Sequence, residues 1–355
     1  MTFEELIDCP KLSDRNSYIE SRAKMDSVAK PLEGMGKFEH IIAKIAASQR
    51  SVNADIKNRA LLVFCSDNGL TVNNVSQSNS SVTLNIANSI VRGTSSVAVM
   101  CRQTKTECLA VDVGMYENVE GTLNQKIRKG TNDISKGPAM TREETIKAIM
   151  TGAGLVCKMK ERGKKILATG EAGIGNTTTS AAICAVLLKM PVKEATGRGA
   201  GLSDDGLTRK VNLIEKAIEI NGLKDFEAES VEDVLRVLSS LGGFDIAAMT
   251  GVFLAAPLYD MPVVADGLIS SVAALCAVRM NKYVKDYLIE SHTGSEPAVL
   301  ALVKELGLNP VIDAGMHIGE GTGAVMMFSL LDTALAVYDE AAFFDEIGVK
   351  KYEKL

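Results

Sequence analysis

The sequence has no tryptophan, and aromatic residues make up only 5% of it, while alanine, glycine and valine are plentiful. That balance favours tight helix-on-sheet packing over an aromatic-lined groove. There are only three histidines, His40, His292 and His317. They form neither HExxH nor HxH, so no catalytic metal is expected. The seven cysteines (Cys9, Cys65, Cys101, Cys108, Cys157, Cys184 and Cys276) are odd in number and form no CxxC pair. Most lie in apolar runs, where cysteine behaves as a small hydrophobe; zinc and a disulfide framework are excluded and a reducing cytoplasm is expected. Net charge is −5, which argues against a nucleic-acid or anionic-membrane surface, so any phosphate must be held by local geometry. The longest apolar stretches, around Ala247–Leu258 and Val263–Val278, are too short for a membrane span or are broken by Asp266. The acidic start Met-Thr-Phe-Glu-Glu lacks a signal-peptide pattern. No GxSxG elbow, internal repeat or low-complexity segment is present.

What remains is a chain of 355 residues, 46% apolar and 23% charged, enough for a large α/β domain with a smaller element. Its centre is Lys164–Leu188. The run Ile166–Ala168 reads as a buried strand, residues 169–178 as a loop rich in glycine and hydroxyls, and the rest as a helix. Free N–H groups and hydroxyls at a helix N-terminus suit an anion such as phosphate. Gly173-x-Gly175 lacks the third glycine of a dinucleotide fingerprint, and no P-loop lysine follows. A nicotinamide-dependent oxidoreductase is accordingly disfavoured.

Before this unit, helices are expected over Phe3–Ile7, Tyr18–Val28, Phe38–Ser48, Val82–Val91 and Ser95–Arg102. Strands are expected over Ala60–Cys65 and Glu107–Val111, a long loop over Gly121–Ala139, and a helix over Thr141–Met159 with a Thr141/Glu144 capping box. After it come a Gly-rich loop (196–201), helices over Leu207–Ile220 and Ser230–Leu241, and an Ala-rich helix beyond Asp245. Strands are expected at Met261–Ala265 and Tyr283–Ile289, and a closing helix over Ala324–Tyr338. The strand-like runs repeatedly end in an acid: Asp67, Asp112, Glu171, Asp266, Glu290. In an open α/β sheet ligands bind at the carboxyl ends of the strands, so these acids should converge on one rim. Gly319-Glu320-Gly321-Thr322-Gly323 sets a carboxylate between small neighbours ahead of an apolar helix, an environment that raises its pKa and suits a general base. Lys210 can add a point charge to a phosphate site.

Five motifs together resemble the nicotinate-nucleotide–dimethylbenzimidazole phosphoribosyltransferase family of cobamide biosynthesis. They are residues 170–178 and 196–202, Asp112-Val113-Gly114, Lys129-Gly130-Thr131-Asn132-Asp133 and residues 319–323. The resemblance implies a Rossmann-like parallel sheet with helices on both faces. It also implies a large α/β domain over 30–325 and a small helical domain built from 1–29 with 326–355. The implied reaction moves the 5-phosphoribosyl group of nicotinate mononucleotide to an aromatic lower-ligand base, giving an α-ribotide and nicotinate with no metal or redox cofactor. Glu320 would be the base, and Glu171 would sit near ribose and acceptor. Gly173, Gly175, Asn176, Thr177, Thr178, Gly199, Lys210 and Ser291 would hold the substrate and its phosphate, and Ser76, Ser80 and Met316 would line the acceptor pocket. A homodimer, or a heterodimer with a paralogous chain, is implied as well. Two departures stand out. Ser66-Asp67-Asn68-Gly69 replaces the family's usual Gly-Asp-His-Gly, and Asn79-Ser80-Ser81-Val82-Thr83 lacks the usual Pro-Gln pair. They point to an altered acceptor, benzimidazole or purine on one side and phenol or p-cresol on the other. The competing reading is a non-catalytic paralogue that binds the nucleotide or base as a partner or sensor.

Overall fold

The computed structural model describes residues 1–352; the last three positions of the expected small domain, 353–355, lie outside the described residues. Six parallel strands form one sheet: β1 (Arg59–Ser66), β2 (Glu107–Gly114), β3 (Leu123–Asn124), β4 (Ile166–Ala172), β5 (Val263–Ala265) and β6 (Leu288–Glu290). Their order is β3-β2-β1-β4-β5-β6, so the winding direction reverses between β1 and β4. A doubly wound sheet opens its ligand crevice at such a point, beyond the carboxyl ends of the strands.

All eight residues of β1 are buried, as a continuous apolar run between two helical layers requires. Its side chains alternate. Ala60, Leu62 and Phe64 enter one core, and Leu61, Val63 and Cys65 the other. The N-terminal helices are α1 (Phe3–Ile7), α2 (Arg15–Ser27) and α3 (Lys37–Gln49), followed beyond β1 by α4 (Ser81–Val91) and α5 (Ser96–Gln103). Then come α6 (Arg142–Glu161), α7 (Asn176–Leu187), α8 (Val192–Ala195), α9 (Asp204–Ile220), α10 (Val231–Leu241), α11 (Phe244–Ala255), α12 (Leu268–Met280), α13 (Ala298–Leu306) and α14 (Thr322–Glu340). One core draws on α6, α7 and α10–α13, the other on α3, α4, α5 and α14. Chain ends meet where Val28 bridges Phe343 and the Tyr338 hydroxyl reaches Ser21 Oγ at 3.1 Å. α1 packs instead on α11.

α6 and α11 touch backbone to backbone. A Cβ on Gly152 would lie 1.8 Å from the Ala248 carbonyl oxygen, and one on Gly251 would lie 1.8 Å from that of Ile149. Gly152→Ala gains helix propensity of about 1 kcal/mol but overpacks a rigid contact by about 3, so the net expectation is a loss of about 2 kcal/mol. Urea denaturation checks it: the midpoint falls with an unchanged slope, and a raised midpoint contradicts this packing.

Several expected boundaries are corrected. The Thr141/Glu144 capping box is present. β4 runs on to Ala172, so Glu171 belongs to a strand end rather than a loop. Residues 283–287 are not strand. A 3-10 helix spans Lys282–Tyr287, started by the Asn281 side chain accepting from the Tyr283 N–H, and β6 follows with three residues. The buried Tyr287 side chain, with its hydroxyl 3.3 Å from Leu12 O, anchors that turn in the interior.

Candidate active site

A cleft of about 290 Å³ opens at the carboxyl ends of β4, β5 and β6, at the small end of the range for small-molecule sites. Its floor is Gly170-Glu171-Ala172 of β4, then Gly173 to Thr177 leading into α7. Gly175 has φ +98°, a left-handed conformation that turns the chain into the helix and leaves the α7 N-terminus facing the cleft. The α12 N-terminus, from Gly267 to Ser270, lines the opposite wall.

The Gly319–Gly321 turn lies directly over β4. A Cβ on Gly170 would sit 2.4 Å from the Glu320 carbonyl oxygen, so glycine permits the contact. Glu320 itself has φ +61°, between Gly319 and Gly321, which are also left-handed. Its Oε2 accepts from the Val97 N–H at 3.5 Å, at the first turn of α5. Burial raises its pKa; the Val97 N–H and Ser95 pull the other way and the charge of Asp266 adds to the rise.

Glu171 is pushed up to about 8, first by burial and further by the charges of Asp245, Asp266 and Glu320, while a short hydrogen bond from the Asn176 amide opposes the shift. The same Asn176 amide donates to Asp245 Oδ2 at 3.1 Å. Burial pushes Asp245 up to about 6. Of the two, Glu171 is held further toward its protonated form.

Lys210 is fully buried and does not line the cleft; it lies behind Thr177 and Gly199. Its Nζ donates to Thr177 Oγ1 at 2.9 Å and to Gly197 O at 3.0 Å. Burial lowers its pKa to about 8, opposed by Glu296. The Glu296 carboxylate, which sequence reasoning passed over, accepts from the Gly199 N–H at 2.9 Å.

Of the expected substrate residues, Gly173, Gly175, Asn176, Thr177 and Gly199 line the cleft, as do Ser76 and Met316. Thr178 is buried within α7. Ser291 is buried and its hydroxyl donates to Ala265 O at 2.7 Å; its neighbour His292 reaches the cleft instead. Ser80 starts α4 and does not line the cleft, whereas Ser78, Val82 and Ile86 do. The period of four from Val82 to Ile86 on an amphipathic helix is the signal that could have found the last two. Asp67 and Asn68 are buried behind the site, with Asn68 Nδ2 donating to Ile174 O at 3.2 Å. The 66–69 departure therefore backs the glycine loop and does not line the cleft. Among the described residues no three His, Cys, Asp or Glu side chains are grouped to hold a metal ion.

Residues 11–349 match the family model described as phosphoribosyltransferase. The chain belongs to this phosphoribosyltransferase family. It is similar to the nicotinate-nucleotide–dimethylbenzimidazole phosphoribosyltransferase of Ruminiclostridium cellulolyticum, 39% identical over 357 residues and covering 100% of both chains. It is 37% identical to the enzyme of that name from Acetivibrio thermocellus over 332 residues, 93% of each chain. The crystal structure of the Thermus thermophilus enzyme superposes with a TM-score of 0.87 at 30% identity, covering 96% of this chain and 100% of that one. A phosphoribosyltransferase moves a phosphorylated pentose between two partners. The cleft correspondingly combines helix N-termini, which favour an anion, with carboxyl groups of raised pKa, which handle protons.

Proposed function

We propose that this phosphoribosyltransferase takes the 5-phosphoribosyl group from nicotinate mononucleotide and gives it to a benzimidazole-type base, releasing nicotinate and an α-ribotide. The observation that carries the reading is the convergence of Glu320 and Glu171, from two separate elements, on one cleft beside the α7 N-terminus. In this reading the phosphate meets the α7 N-terminus and the 199–200 loop, with Lys210 as the charge behind them. The acceptor lies between Val82 and Ile86 of α4 and Met316 and Ile318 of the facing turn. The names of the relatives support both substrates.

The acceptor ring nitrogen attacks C1′ from the face opposite nicotinate. As that C–N bond forms, the C1′–nicotinate bond breaks, and its electron pair neutralises the pyridinium nitrogen. Glu320, ionised, takes the acceptor N–H proton. Glu171, protonated, donates a hydrogen bond toward the ribose. The leaving group is good without assistance, so holding the partners in line and removing one proton carries the rate. The seven free cysteines fit a reducing cytoplasmic setting, and a two-chain assembly completes the reading.

The test is an incubation of the chain and nicotinate mononucleotide with dimethylbenzimidazole, adenine, phenol or p-cresol, with products separated by chromatography. An N-linked ribotide with dimethylbenzimidazole is expected. Product with phenols alone assigns a different acceptor, and product with none contradicts the reading.

A further inference from the structure

Asp266 stands at the end of β5 and is buried. Its carboxylate reaches across to the turn that carries Glu320. Oδ2 accepts from the Gly321 N–H at 3.2 Å, and Oδ1 accepts from the Gly323 N–H at 2.8 Å and the Ala324 N–H at 3.1 Å. The last two are first-turn N–H groups of α14, a 19-residue helix, and the first belongs to its cap residue, Gly321, which offers no side-chain cap. A carboxylate from another element thus supplies the missing cap, in the place where the helix dipole favours negative charge. Three charge-assisted hydrogen bonds fix a turn in which three successive residues, Gly319, Glu320 and Gly321, all have positive φ. For Glu320 that conformation is costly, and it persists only where the surroundings over-determine it.

The other side of Asp266 is closed by His292, whose Nδ1 is 3.8 Å from Oδ1. His292 in turn packs so closely on α14 that a Cβ on Gly323 would lie 1.9 Å from its Nδ1. The Ser291 hydroxyl lies 3.0 Å from the same nitrogen. β5, the segment after β6 and the α14 N-terminus are therefore locked together at one point.

We propose that Asp266 is the positioning residue of the phosphoribosyl transfer: it holds the 319–324 turn so that the Glu320 carboxylate meets the acceptor. It acts through Glu320 and needs no contact with substrate. The groups around Glu320 are the Asp266 and Glu171 carboxyls, the Cys108 thiol, the Ser95 hydroxyl and the Val97 N–H. Asp266 is the group among them whose charge both faces Glu320 and is tied to the backbone that follows it, at Gly321, Gly323 and Ala324. Removing that charge has two separate consequences: the base is placed less well, and it holds its proton less tightly.

The inference rests on the proposed reaction, so the wild-type chain run in parallel must form the ribotide; if it does not, the reading fails rather than the positioning role. Asp266→Asn keeps the size, removes the charge and points an amide N–H₂ at one of the three backbone donors. The expected result is a kcat lower by about 10- to 100-fold, the range for a displaced catalytic group or a lost supporting partner. Nicotinate mononucleotide binding, read by calorimetry, stays within about threefold, because the interaction lost is one made to the acceptor's proton. The acid limb of the kcat–pH profile moves to lower pH. A purely structural role lowers melting temperature and active fraction but leaves that limb in place. Asp266→Ser, which retains one acceptor oxygen, serves if the Asn variant does not fold, and the same limb shift is expected. An unmoved limb in the variant that folds, or a kcat equal to wild type, overturns the proposal. So does a loss of binding that matches the loss of kcat.

Discussion

Glu320→Gln is expected to lower kcat by about 10³-fold, close to 4 kcal/mol of barrier, within the range for removing a general base. Glutamine has the same size and keeps an oxygen to accept from the Val97 N–H, so the turn over β4 stays in place. The loss falls on kcat, and the KM for nicotinate mononucleotide stays within about threefold, because the proton is removed from the acceptor and not from the donor nucleotide. Steady-state kinetics at saturating acceptor separate the two. The pH profile adds a second check. A base works only when ionised, and burial holds the Glu320 carboxyl above the ordinary carboxylate range. Wild-type kcat therefore falls as pH drops through that raised value, and the variant shows a low rate without this limb. Turnover equal to wild type would remove Glu320 as the base.

Lys210→Met is expected to raise the KM for nicotinate mononucleotide by about 100-fold, from the loss of about 2–3 kcal/mol of charge-assisted interaction, with a much smaller effect on kcat. Methionine keeps the apolar stem in its buried slot and deletes the charge behind Thr177 and Gly199. Lys210→Arg does not restore affinity, because a planar guanidinium does not fit a slot in which Nζ already meets Thr177 Oγ1 and Gly197 O as a compact donor. The wild-type affinity also has a pH signature. With the free-state pKa lowered to about 8, the ammonium is charged below that value and loses its proton above it. A phosphate stabilises the charged form, so substrate affinity weakens as pH rises through about 8, and Lys210→Met removes that trend. An unchanged KM places the phosphate elsewhere in the cleft.

Much of this was legible in the chain. The continuous apolar runs at 60–65 and 166–168 announce buried parallel strands, and both became central strands of the sheet. Of the five acids expected at strand ends, Glu171 and Asp266 line the cleft, joined there by Glu320, whereas Asp67, Asp112 and Glu290 do not. What was hidden was hidden for physical reasons. Tyr283–Ile289 is rich in the aromatic and β-branched residues that strands favour, but a side-chain cap from Asn281 started a 3-10 helix there. The apolar helix α12 is buried on nearly every side, so it carries no polar stripe to mark its period. Glu296 contacts Gly199 across a separation of 97 residues. Asn68 differs from the family pattern at a position that faces the back of the glycine loop, which sequence order cannot distinguish from the front. Asp266 was readable as an acid at a strand end, but its role as the cap of a distant helix exists only once β5 and α14 are brought together.

The most direct measurement follows the reaction by proton NMR, with nicotinate mononucleotide and dimethylbenzimidazole both present and then with the acceptor left out. Nicotinate release that requires the acceptor, matched one for one by a ribotide whose anomeric proton reports the α configuration, is the result predicted for in-line transfer with Glu320 taking the acceptor's proton. Nicotinate release at the same rate without acceptor, or a β-configured product, would contradict it.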